Sequence, residues 1–178
     1  MAEHVEFTVA TGKGSEIRYW VWKVDGPVGK QLAIRQAAAQ VIDRAAIAKD
    51  AYDDTVSPLY SIVPPGYGGA NEAFQAAYGA PDPAKAKQML QDAGALNTPV
   101  TFLFDASDPT AVDGKNIIVK ALSEAGFDPQ PRAVPNADKE DELTQDPDAP
   151  INLRHLGWCS DWPSGSSMST ATPWPPIS

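Results

Sequence analysis

Near the carboxyl end of the 178-residue chain runs "RHLGWCSDWPSG", Arg154 to Gly165. It sets the single cysteine, Cys159, and a lone carboxylate, Asp161, between Trp158 and Trp162, in a chain with five tryptophans. A core strand has no use for Asp161, and a solvated loop has no use for two indoles. A carboxylate between aromatic rings carries a desolvation cost unless a cation meets it, from an internal arginine or from the ammonium of a ligand. An aromatic-walled pocket with one charge at its base would use all three residues. For Trp158, directly after a strand, a plain core position accounts for it equally well.

Other candidate chemistry is weaker. "TGKGS" lacks the glycine that a phosphate loop needs five residues before Gly-Lys, where Phe7 stands, and reads as a turn. "GSS", Gly165 to Ser167, has only half of a nucleophile elbow. His155 could serve Cys159 or Ser167 as a base in a hydrolase, but no orienting signature surrounds them. Asp105, Asp108 and Asp113 do not have calcium-loop spacing, and helix capping and solvation suffice for them. One cysteine and two separated histidines make no zinc set, so neither a metal nor another cofactor is expected.

The net charge is −9, which argues against nucleic acid and anionic membrane as partners. Composition, 43% hydrophobic and 21% charged, is that of a folded globular protein. Met1 to Val24 has no apolar signal-peptide core, and no run is long enough to span a bilayer, so the chain as given carries no export signal.

The elements that must position the segment follow from periodicity. Alternation predicts strands on either side of Gly12-Lys13-Gly14, the second being "EIRYWVWKV". Leu32, Ala38, Val41, Ile42 and Ala45 recur at threes and fours, predicting one helix from about Val28 to Ala51. Residues 53–78, rich in Pro, Gly and Tyr, read as a long loop. In "PDPAKAKQMLQDAG" Asp82 caps, Pro83 opens the helix and Gly94 ends it. "PVTFLFDA" predicts a buried strand, then a helix from about Val112 to Ala125 ending at Gly126, then a parallel strand at Gln130 to Val134. "NADKEDELTQD" reads as a solvated face, and "INLRHLGW" as the last strand. The expectation is one α/β domain over residues 1–178, a mixed sheet flanked by helices, with 166–178 loosely held. Ligands of such sheets gather beyond the carboxyl ends of the strands, where "WCSDWPSG" falls.

Three segments in this order resemble one family. "LAIRQAAAQVIDRAAIAKDAY", through Ile34, Arg35, Ala37, Ile42, Asp43 and Arg44, is similar to its "V-R-x-A-x-x-x-A-I-D-R" helix. "PDPAKAKQMLQDAG" is similar to "Y-D-P-x-K-A-K-x-L-L-x-x-A-G", and "GWCSDWPSG" to "G-W-x-x-D-x-x-x-P/G". Together they resemble the family 5 solute-binding proteins of ABC importers for oligopeptides and dipeptides, from about Arg18 to Gly165. The resemblance implies a single lobe of a periplasmic-binding-protein type II-like fold, the second ligand-binding lobe, with the first lobe absent from this chain. It implies a peptide or small-solute ligand, with nickel, sugars and opines also carried by members. It further implies ABC permease subunits as partners of the full-length protein, no catalysis, and an extracellular or cell-envelope location, as a lipoprotein or periplasmic protein, for the parent. By the same resemblance Asp161 meets the α-ammonium of a ligand and Trp158 and Trp162 wall the pocket. His155 and Cys159, on the same segment, count with them as ligand-binding candidates. The alternatives that stay open are the hydrolase built on His155 with Cys159 or Ser167, and a freestanding interaction domain. The cleft-facing side of a lone lobe would be an apolar patch prone to self-association.

Overall fold

The computed structural model describes residues 16–146 and 148–159, with the last two given by their backbone. Four strands form one mixed sheet in the order β1 (Glu16–Trp22), β4 (Leu153–Cys159), β2 (Pro99–Asp105), β3 (Asp128–Val134). β2 runs parallel to both β3 and β4, whereas β1 lies antiparallel to β4. The three late strands are therefore neighbours, as their sequences predict. The first strand expected ahead of Gly12 lies outside the described residues. β3 carries Pro129 and Pro131, which an edge position tolerates because the missing amide donors face away from the ladder.

Alternation along the strands sends two apolar sets to opposite faces. Val100, Phe102 and Leu153, joined by Trp20 and Trp22, meet Ile34, Ala37, Val41, Leu90, Ile118 and Leu122 from the helices in the main core. Phe102 lies at its centre, fully buried, with Trp20 edge-on at 5.3 Å between ring centroids. On the other face Leu103, Val134 and Ile151 form a smaller cluster with Leu143 of α6 (Ala137–Gln145).

Local signals explain the helix boundaries. α4 (Pro83–Asp92) is capped by the Asp82 carboxylate, which accepts from the Lys85 amide, and Gly94 takes the left-handed φ of 62° that ends it. α5 (Pro109–Glu124) begins three residues earlier than its periodicity suggests, because Asp108 caps it through the Thr110 amide and Pro109 suits its first turn. The single helix expected from Val28 to Ala51 is instead two. α1 (Leu32–Val41) stops where Ile42 turns extended, with ψ of 111°, and Asp43 caps α2 (Arg44–Asp50) by accepting from the Ala46 amide. Leu32 is exposed, and the inward stripe of α1 is Ile34, Ala37, Ala38 and Val41. The loop of residues 53–78 holds one short helix, α3 (Ala73–Tyr78), none of whose residues is buried.

Candidate functional site

The carboxyl ends of β2, β3 and β4, at Asp105, Val134 and Cys159, share one edge of the sheet, and β1 enters beside them at Glu16. Of the residues singled out in the sequence, His155, Trp158 and Cys159 belong to β4, with Trp158 opposite Ile17 and Cys159 opposite Glu16. Asp161, Trp162 and Ser167 lie outside the described residues. The described part of β4 reaches Cys159 at this edge, and the "S-D-W-P-S-G" segment follows it in sequence.

His155 shares the core face with Trp20, its opposite number in β1, with ring centroids 5.4 Å apart. Burial lowers its pKa below the usual imidazole value, and the positive charge of Arg18 lowers it further, against an opposing pull from Asp108. His155 is accordingly a neutral donor and acceptor at neutral pH, not a cation. Arg18 stands opposite Gly157 and pairs with Glu16, Nη2 to Oε1 at 2.6 Å. Asp108 spends its Oδ1 on the Thr110 amide (2.8 Å) and hydroxyl (2.7 Å). Burial pushes the Asp108 carboxyl up, but these hydrogen bonds, the Ala111 amide and Arg18 together hold it below the ordinary carboxylate value.

The opposite face carries a second group that sequence reasoning missed. Glu140 of α6 is 5% exposed, not part of a solvated face, and its Oε1 has no hydrogen-bond partner among the described residues. Burial raises its pKa to about 7, with Asp105 and Asp141 adding to the rise and Arg154 and the His155 amide opposing it. Arg154 of β4 ties α6 down, Nη1 lying 2.6 Å from the Thr144 hydroxyl and 3.3 Å from Asp141. Nothing local marks Glu140 in the sequence, because Arg154 and the β4 backbone reach it from 14 and 15 residues further on.

Two hollows lie away from this edge. One, of about 200 Å³, sits between β1 and α6 and is lined by Val21, Leu143, Ile151 and Arg154. The other, of about 210 Å³, adjoins the start of α2, where the Arg44 guanidinium lies 5.6 Å from the Tyr60 ring and 5.4 Å from that of Phe74. Burial lowers the Arg44 pKa, offset in part by Tyr60 and Tyr78, and the aromatic sandwich reads as a latch for the long loop. Among the described residues no group of three or more His, Cys, Asp or Glu could hold a metal ion, and no helix is long and apolar enough to cross a membrane.

A sheet edge of this kind, with helices on both faces and β4 leading into an aromatic segment, defines a lobe of a periplasmic-binding-protein type II fold. Residues 2–173 match the model for bacterial extracellular solute-binding proteins, family 5 Middle, and the chain belongs to that family. A search among curated proteins returns no match. Solved structures that share the fold include the ABC transporter substrate-binding protein CtaP from Listeria monocytogenes, with a TM-score of 0.75 and 18% identity, covering 84% of this chain and 31% of its own. The oligopeptide-binding protein AppA from Bacillus subtilis, in complex with a nonapeptide, gives 0.70 and 18%, covering 84% and 32%. The periplasmic binding protein DppA from Helicobacter pylori, in complex with the peptide STSA, gives 0.69 and 20%, covering 83% and 28%. The chain thus spans about a third or less of the length of each.

Proposed function

We propose that this chain is the ligand-contacting second lobe of an ABC-importer receptor, which captures peptides or similar small solutes in the cell envelope and delivers them to the permease. Family membership over residues 2–173 is the observation that carries the reading. It is supported by β4, whose "GWC" lies at the shared carboxyl edge of the described sheet, two residues ahead of Asp161 in sequence. In this reading Asp161 receives the ligand's α-ammonium through a charge-assisted hydrogen bond, and Trp158 and Trp162 wall the pocket. His155 and Cys159 complete the lining, and the protein performs no chemistry on its ligand. The peptides bound by AppA and DppA support a peptide ligand.

The hydrolase alternative is weakened on its Cys159 version. Four residues of extended strand place the Cα atoms of His155 and Cys159 about 13 Å apart, more than the two side chains can span to a hydrogen bond. The test is calorimetry on this lobe joined to a first lobe. Asp161→Asn is expected to weaken peptides with a free amino terminus by about 2–5 kcal/mol and to leave N-acetylated peptides nearly unaffected. Equal losses for both would place the ammonium contact elsewhere.

A further inference from the structure

The face that carries His155 also holds an arginine in an unusual seat. Arg18 of β1 lies directly opposite Gly157 of β4. A Cβ added at Gly157 would stand 2.9 Å from Nη1 of Arg18 and 3.0 Å from both its Cζ and its Nε. Three guanidinium atoms at nearly equal distance mean that the planar group lies flat on bare backbone. A side chain at 157 would push it outward from this seat. A guanidinium held by one face keeps the edge with its N–H donors for a partner in its own plane, the geometry that suits a carboxylate.

That edge now meets Glu16, two residues earlier on the same strand and so on the same face. The side chains are 45% and 48% exposed, so the pair contributes little to stability and Glu16 is free to exchange into water. Two other described groups act electrostatically with Arg18, Asp108 and His155. Asp108 has an oxygen committed to capping α5, and His155 is neutral.

We propose that Arg18, seated on Gly157, receives a carboxylate of the bound solute, and that Glu16 is the internal carboxylate which the solute displaces. This rests on the solute-binding reading above and narrows it to solutes that bear a carboxylate. Gly157 is then a positioning residue, required because only a missing side chain lets the guanidinium lie flat.

The test is NMR of the arginine Nε–H resonances of the 178-residue chain, titrated with sodium acetate, with sodium chloride at matched ionic strength and with acetamide as the neutral counterpart. Arg18 is expected to shift saturably with acetate, at a midpoint several-fold below that of the exposed Arg132 in β3, and not with acetamide. Glu16→Gln should lower the Arg18 midpoint at least threefold, and Gly157→Ala should raise it to that of Arg132. A wild-type midpoint no lower than Arg132's, or one unchanged by Glu16→Gln, overturns the proposal. The Asp161 experiment fails or succeeds separately: loss of amino-terminal preference there, with the acetate response intact here, leaves the carboxylate site without the peptide.

Discussion

Gln40, buried in α1, donates from Nε2 to the carbonyl of Tyr78 at 2.8 Å, bridging 38 residues of sequence. The same nitrogen lies 3.3 Å from the Ala80 carbonyl, and the Gln40 carbonyl accepts from the Asp82 amide. The side chain thus pins the return of the long loop to the helix that packs under the sheet, and the backbone carbonyl of the same residue holds the start of α4. Gln40→Ala is expected to destabilise the fold by about 1–3 kcal/mol, since it removes this hydrogen bond and empties the space that the buried Gln40 side chain fills. Urea unfolding checks this. A loss under about 0.5 kcal/mol would mean that the loop is held by the Arg44 sandwich alone.

Glu140 makes stability depend on pH in a stated direction. The unfolded carboxyl releases its proton near 4.5 and the folded one only near 7, so the folded state binds more protons between those values. The contribution is fully present below about pH 4.5 and is lost as pH rises through about 7. Glu140→Gln should remove that fall, on the order of 1–3 kcal/mol between pH 5 and 8, and leave the protein the more stable of the two at pH 8. Chemical denaturation at a series of pH values measures it. Parallel curves for the two proteins would show that Glu140 is solvated.

Arg18 and Asp108 act on His155 with opposite signs. Arg18→Gln should therefore raise the His155 pKa, and Asp108→Asn should lower it further. Burial persists in both variants, so the value stays below 6.5 even without Arg18. Imidazole chemical shifts followed against pH decide the matter, and a value that ignores both substitutions would put Arg18 and Asp108 out of reach of the ring.

What was legible in the sequence depended on how local the signal is. Asp82, Pro83 and Gly94 mark both ends of α4 within a dozen residues, and the alternation of β2 announces its burial. The break at Ile42 was hidden because the apolar period continues across it. Only the Asp43 carboxylate, a capping residue in mid-pattern, signals the new start. α3 has no inward stripe to find. Of the proposed site, the segment around Asp161 stands out by residue type alone, whereas Arg18 acquires meaning only from the antiparallel register that brings Gly157 beneath it. Glu140 likewise becomes a buried acid only once β4 has come home.

The 178-residue chain measured by itself is expected to bind peptides weakly, with dissociation constants in the millimolar range or above. On the proposed reading, affinity comes from burial of the ligand between this lobe and another, and this chain spans about a third or less of the length of the solved structures it resembles. With one wall, water reaches the charged contacts, and an exposed ion pair contributes only roughly 0–1 kcal/mol. That falls short of the cost of lost translational and rotational freedom, estimated at about 4 kcal/mol or more. On the same reading the cleft side of the lone lobe should then favour self-association at high concentration. Calorimetry against a peptide library, run beside sedimentation of the free chain, tests both halves. Micromolar binding by a strict monomer would show that this lobe is a sufficient receptor and that closure contributes little to its affinity.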